Sequence, residues 1–255
     1  MSPKPRVTFA SFDDHHDQSG NNNGAFWKAK LALIDDLSPD SFIAVGDFAE
    51  GGSGSAHVPD AFKPAYEEDC EELKLRWNEV RDAAGPKTKL TWIEGNHENA
   101  MVRALERGSP SFVKGFWTRF MRDTGATDCG VKWVGEKERY QEGSVLYIHG
   151  HQYPGRRFPK HHAHASAMLW GRPGVTVLVG HTHRPGYARI PSAHGGWEAY
   201  MVGAGRTMDP SFMKGEDGAW ANEAAVVYTY PDGRNSVHII RWLGDHFIFN
   251  GRSYK

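Results

Sequence analysis

Thr91-Trp92-Ile93-Glu94-Gly95-Asn96-His97-Glu98 is an apolar run that stops at a glycine and then presents an amide, an imidazole and a carboxylate in a row. Lys89 to Glu94 reads as a strand, and the same event recurs on either side of it. Arg6 to Phe12 reads as a strand, with Val7 and Phe9 alternating against Thr8 and Ala10, and stops at Asp13-Asp14-His15. Ser41 to Val45 runs into Gly46-Asp47. Ser144 to Ile148 runs into His149-Gly150-His151, and Gly174 to Val179 into Gly180-His181-Thr182-His183. Loops at strand ends, held by a rigid sheet, are where α/β proteins place their chemistry.

Asp, His and Asn without Cys form a ligand set for borderline or hard divalent ions, with Mn²⁺ the first choice and Fe, Zn or Ni the others. In an extended segment, side chains at i and i+2 point the same way, so Asp13 with His15, and His181 with His183, are expected to face an ion. The doubled Asp13-Asp14 and His15-His16 leave a second register open, Asp14 with His16, although Asp13 lies nearer the strand end. Two ions about 3.5–4 Å apart can clamp an in-line displacement at phosphorus. Asp47 is the natural bridge, giving one oxygen to each. Gly46, Gly95 and Gly180 precede ligands, where the backbone must turn sharply or come close.

Between these blocks, Ala25 to Leu37 and Pro64 to Ala84 read as helices, as does His162 to Trp170. Glu98 to Asp123 reads as two helices broken near Gly108-Ser109-Pro110. After His183 come short strands: Trp197 to Val202, Ala224 to Tyr230, Ser236 to Trp242 and His246 to Phe249, with a hairpin turn at Pro231-Asp232-Gly233. A β/α first half and a β-rich last quarter predict a layered α/β fold with strands in two sheets. The 255 residues carry no evident linker and are expected to form one domain, 1–255.

A net charge of −1 gives no bulk attraction to nucleic acid or membrane, so anion binding must be local. Cys70 and Cys129 make no disulfide framework and read as reduced thiols. With no apolar run of transmembrane length and no signal-peptide pattern, a cytoplasmic protein is expected. The nine Trp read as packing residues, with Trp27 and Trp170 as rim exceptions, and Glu67-Glu68-Asp69 as a solvated helix start.

The five blocks in this order resemble the calcineurin-like metallophosphoesterase superfamily. Thr91 to Glu98, the layout of His149-Gly150, His162 to Ala165 and Gly180 to Arg184, and the tail with Trp220 and Asn250-Gly251-Arg252-Ser253-Tyr254 look like its phage-type branch. The resemblance implies a four-layer α/β/β/α sandwich of two mixed sheets flanked by helices. It implies one metal on Asp13, His15, Asp47 and His183, and a second on Asp47, Asn96, His149 and His181. A metal-bridging hydroxide would attack phosphorus, Asn96 would help stabilise the charge, and His97 would protonate the leaving oxygen, oriented by Glu98. The expected activity is a phosphodiesterase on nucleotide or nucleic-acid diesters. The alternatives are a phosphomonoesterase or a silent scaffold of the same fold.

Two departures stand out. The protein phosphatase branch carries Asp-Arg-Gly after the second Asp, whereas Asp47 is followed by Phe48-Ala49-Glu50. The phage-type branch often has an Arg just past Gly-Asn-His-Glu, but the first one here is Arg103. Substrate contacts are expected instead from His151, His162, His164 and Arg184, with Arg156, Arg157 and Lys160 as a basic patch. Loops Gln18–Gly24 and Gly51–Pro59 are expected to select the substrate. A phage origin, and hence the host cytoplasm, follows as an expectation from the branch.

Overall fold

A computed structural model describes residues 4–12, 24–54, 65–108, 111, 113–153, 161–193, 195–206 and 220–255. Asp13, His15, the alternative pair Asp14 and His16, His57, Arg156, Arg157, Lys160 and most of both selection loops lie outside them.

The strands are β1 (Arg6–Ser11), β2 (Ser41–Ala44), β3 (Lys89–Ile93), β4 (Val131–Val134), β5 (Tyr140–Glu142), β6 (Val145–Ile148) and β7 (Thr176–Val179). They continue with β8 (Gly186–Ile190), β9 (Trp197–Met201), β10 (Glu223–Thr229), β11 (Asn235–Arg241), β12 (Phe247–Phe249) and β13 (Arg252–Tyr254). The helices are α1 (Gly24–Leu37), α2 (Tyr66–Ala84), α3 (Asn96–Gly108), α4 (Phe116–Asp123) and α5 (His162–Trp170). The predicted break near residue 108 is the gap between α3 and α4. Three short strands escaped the sequence reading: β5, β8 and β13.

The first sheet has the order β11-β10-β1-β2-β3-β4, the second β5-β6-β7-β9-β8, and β12-β13 form a separate pair. Both large sheets are mixed. In the first, β1, β2, β3 and β4 run parallel while β10 and β11 are antiparallel additions. In the second, β6, β7 and β9 run parallel, with β5 and β8 antiparallel at the edges.

Alternation along the strands explains the layering. Phe9, Phe42, Trp92 and Val226 face outward onto Phe26 and Leu33 of α1, Trp77 and Val80 of α2, and Phe120 of α4. Their neighbours Ala10, Ile43, Ile93 and Val227 face inward and meet Val145, Tyr147 and Leu178 of the second sheet. Leu146, Ile148, Val177 and Val179 face out again, onto Ala163, Ala167 and Trp170 of α5. The result is the expected α/β/β/α sandwich.

Trp27 and Trp170 are not rim residues: at 7% and 8% exposure they belong to the outer cores. Asp69 likewise leaves the solvated face of α2, being buried and accepting the Ser53 N–H at 3.2 Å. Cys70 and Cys129 are both free and buried.

Candidate metal centre

Parallel strands end together, and here the ends of both sheets meet. His149, which follows β6, turns its Nδ1 to the Val45 carbonyl just past β2, at 3.0 Å. Phe12, at the end of β1, packs between His149 and His183, with ring centroids 5.4 and 5.2 Å away.

Four electron-rich atoms converge at this edge. His149 Nε2 lies 3.2 Å from Asp47 Oδ2, 3.0 Å from Asn96 Oδ1 and 3.2 Å from His181 Nδ1. The Val45 carbonyl can only accept, so His149 Nδ1 carries a hydrogen, and Nε2 holds either a proton shared with Asp47 or, in the neutral ring, a lone pair. That lone pair looks at a carboxylate oxygen and an amide oxygen. One proton can serve one of these contacts, whereas a divalent ion serves all four atoms. Metal–ligand bonds of about 2.0–2.2 Å place neighbouring donors roughly 3 Å apart, which is the spacing seen. The donors fit a borderline divalent ion. Among the described residues, Asp47, His149 and His181 are the His, Cys, Asp or Glu group whose donor atoms all lie within 4.8 Å of one another.

The electrostatics suit a cation. Burial works against ionised Asp47, but His149 and His97 outweigh it and hold the carboxyl well below the usual carboxylate range. Burial, then His149, pushes His181 down to about 3, which keeps its ring neutral, the form that ligates a metal. His149 is raised because the Asp47 carboxylate and the Val45 carbonyl overcome its burial.

The backbone is bent to make this cluster. Asp47, His181 and His183 have φ of +50°, +66° and +59°, the left-handed region that costs a non-glycine residue roughly 1–2 kcal/mol. The expectation that His181 and His183 form an extended i, i+2 pair is therefore corrected. His181 turns to His149, while His183 stacks on Trp220 at 4.1 Å and is buried. Close approach explains two of the glycines. A Cβ on Gly46 would come within 2.2 Å of His149 Nδ1, and one on Gly95 within 2.1 Å of Asp47 Oδ1.

Asn96 and His97 open α3, so its N-terminal dipole points at the cluster. The His97 N–H donates to Asp47 Oδ1 at 3.0 Å. Oδ1 accepts from the helix, and Oδ2 is the oxygen turned to His149. His97 Nε2 lies 3.9 Å from that Oδ2, and its side chain is 28% exposed.

Glu98 does something other than orient His97. It is fully buried, and its oxygens accept the N–H groups of Asp47 (3.1 Å), Ala49 (2.9 Å) and Gly95 (2.8 Å), and the Trp92 indole (3.1 Å). It ties the β2 and β3 loops into one unit, although burial and the Asp47 carboxylate push its pKa up.

The expected substrate contacts divide. His151 lies beside the cluster, its ring 5.1 Å from that of His149 and its Nε2 3.1 Å from Glu136 Oε1. Burial, then His149, lowers its pKa to about 4. His164 is exposed on α5, His162 is half-buried there, and neither belongs to the group of converging donors. Arg184 is exposed, with its N–H on Thr182 Oγ1 at 3.4 Å. Glu136 escaped the sequence reading because nothing local marks it; only the fold brings it to His151.

Comparison with known proteins agrees with this geometry. Residues 14–204 match the family model of the calcineurin-like phosphoesterases. The gene 54 protein of Mycobacterium phage L5 is 26% identical over 242 residues, covering 89% of this chain and 91% of that protein. The gene 54 protein of Mycobacterium phage D29 is 26% identical over 239 residues, with the same coverage. The family match takes in every described residue of the converging cluster and most of the sequence. The chain therefore belongs to the calcineurin-like phosphoesterase family, and it is a metal-dependent phosphoric ester hydrolase.

Proposed function

We propose that the chain is a phosphodiesterase acting on nucleotide or nucleic-acid diesters, working as a single domain over 1–255 in the cytoplasm of a phage host. The observation that carries the reading is the convergence of Asp47 Oδ2, Asn96 Oδ1 and His181 Nδ1 on His149 Nε2. Asp47, Asn96, His149 and His181 would hold one divalent ion, and Asp13, His15, Asp47 and His183 the other, with Mn²⁺ the favoured metal. When bound, such ions polarise the phosphoryl oxygens and bring the pKa of water to about 7.

The chain's own groups do the rest. Asn96, besides ligating, places its amide where negative charge grows on the phosphoryl oxygens. His97, partly exposed and 3.9 Å from Asp47 Oδ2, reaches the leaving oxygen and gives it a proton. Arg184, which follows His183, and His162 and His164 on α5 would contact the parts of the substrate that do not react.

A diester is favoured over a monoester by charge. Glu136 bonds to His151 and puts a carboxylate on this flank, which repels the dianion of a monoester more than the monoanion of a diester. The phage relatives support a host-cell location, and no described helix is long and apolar enough to cross a membrane.

The test is hydrolysis of bis-p-nitrophenyl phosphate against p-nitrophenyl phosphate after chelation and Mn²⁺ reloading, with Asp47→Asn and His97→Ala beside the wild type. Faster, metal-dependent turnover of the diester, lost in Asp47→Asn, is expected. Preferred turnover of the monoester would make the chain a phosphomonoesterase.

A further inference from the structure

Between the turn that follows β4 and the end of α5 the surface opens into a hollow of about 340 Å³. Two acids and two bases of the turn, Glu136, Lys137, Glu138 and Arg139, form one side, Leu169 and Trp170 of α5 supply apolar surface, and Gln152 joins them. Leu169 is 42% exposed there and leaves apolar surface on the wall of the hollow.

The Glu136–His151 pair connects this hollow to the metal cluster. Glu136 lines the hollow and accepts His151 Nε2–H at 3.1 Å, and the His151 ring lies 5.1 Å from that of His149. With Nε2–H committed to a carboxylate, His151 Nδ1 is a lone pair. It is buried and has no hydrogen-bond partner among the described residues. A buried acceptor without a donor is rare in a folded protein and marks a place where a ligand or water completes the bonding. Gln152 is also anchored, accepting the Gly150 N–H at 3.1 Å and donating to the Glu136 carbonyl at 3.4 Å, so it ties the wall of the hollow to the residue after His149.

We propose that this hollow is the subsite for the nucleoside arm of the substrate, the arm that stays on phosphorus. This rests on the diesterase reading above. The phosphate sits at the cluster, the sugar passes the Glu136–His151 pair, and the base lies against Leu169. Lys137 and Arg139 meet the next phosphate of a strand. The volume lies at the low end of small-molecule sites, about 300–1,000 Å³, which is room for one nucleoside. Bases stack on apolar and aromatic surface with little regard to sequence, so the subsite recognises a nucleoside rather than one base.

The test uses the full chain loaded with Mn²⁺ and the variants Leu169→Glu and Lys137→Glu, both at exposed positions. Hydrolysis of p-nitrophenyl thymidine 5′-phosphate is compared with that of bis-p-nitrophenyl phosphate, and thymidine 5′-monophosphate is titrated by calorimetry. Leu169→Glu should lower the preference for the nucleotide ester about tenfold, through KM, and weaken monophosphate binding by a similar factor. Lys137→Glu should act in the same direction on a dinucleotide more than on the mononucleotide ester. An unchanged preference together with unchanged monophosphate binding would overturn the subsite. So would loss of metal from His151→Ala, which would make His151 a ligand of the cluster. Wild-type protein that binds the monophosphate in the hollow but cleaves only monoesters would sink the diesterase reading instead, so the two failures are distinguishable.

Discussion

His149 Nε2 stands 3.2 Å from Asp47 Oδ2, and with Nδ1 given to Val45 the contact is closed by a proton on Nε2 or, in the neutral ring, by a cation. The contact joins the loop after β6 to the loop after β2, so the two sheets are coupled at their common edge by a pair that a cation completes. Asp47→Asn keeps the shape but removes the charge, and His149→Ala removes the lone pair. Each should lower metal affinity by more than the roughly 10–100-fold that outer partners of ligands are worth. Metal content after dialysis against a weak chelator, together with turnover, checks this. Retention of stoichiometric metal by both variants would show that the ion is held elsewhere.

Glu98 offers a separate test, because it touches the ligand loops only through their backbone. Glu98→Gln replaces one acceptor oxygen with an NH₂ group facing two N–H donors, either Asp47 and Gly95 or Ala49 and Trp92. Stability should fall by about 1–3 kcal/mol for the donors left unpaired. Metal should bind about 10–100-fold more weakly as the two loops lose register. Urea unfolding and metal titration read the two effects independently, and a change in stability with unaltered affinity would confine Glu98 to folding.

The sequence carried the cluster further than it carried the sheets. Asp47, Asn96, His149 and His181 are legible because each closes a parallel strand, and parallel strands deliver their ends to one edge. Gly46 and Gly95 are legible because no other residue leaves room for His149 and Asp47. The backbone of His181 and His183 was not, since a positive φ at histidine has no local signature and is imposed by the packing of Phe12 and Trp220 on His183. β8 was missed because its residues are half-buried or exposed along an edge and follow Pro185, and β5 and β13 because three residues are too few to show a period. The work of Glu98 spans about fifty residues of sequence to reach Asp47 and Ala49, and no motif encodes such a contact.

Glu223 supports the segment behind His183, and its effect should depend on pH. It is 2% exposed, accepts the Gly203 N–H at 3.1 Å and pairs with Arg241 at 3.3 Å. Burial nevertheless raises its carboxyl above the ordinary value of 4.5. A carboxyl raised on folding binds more protons in the native than in the unfolded state over the window between the two pKa values. Its contribution to stability is thus complete below the unfolded value and declines as pH rises through the folded one. Glu223→Gln removes the titration, so the wild type should lose ground to the variant as pH rises from about 4 towards neutrality. Urea midpoints of both proteins across that range measure the difference, and parallel curves would place the titration elsewhere.

His97 can be tested through the leaving group. A general acid matters in proportion to how badly the departing oxygen needs a proton. His97→Ala should therefore cost about 10²–10⁴ in kcat for an alkyl or ribose leaving group. It should cost far less for p-nitrophenolate, which departs as the anion. The His97 N–H on Asp47 Oδ1 comes from the backbone and survives the substitution, so metal content should stay at the wild-type level. An equal loss on both kinds of ester, with metal retained, would mean that His97 steadies the phosphoryl oxygens rather than protonating the leaving group. A parallel loss of metal would mean that its side chain helps to hold Asp47, 3.9 Å away.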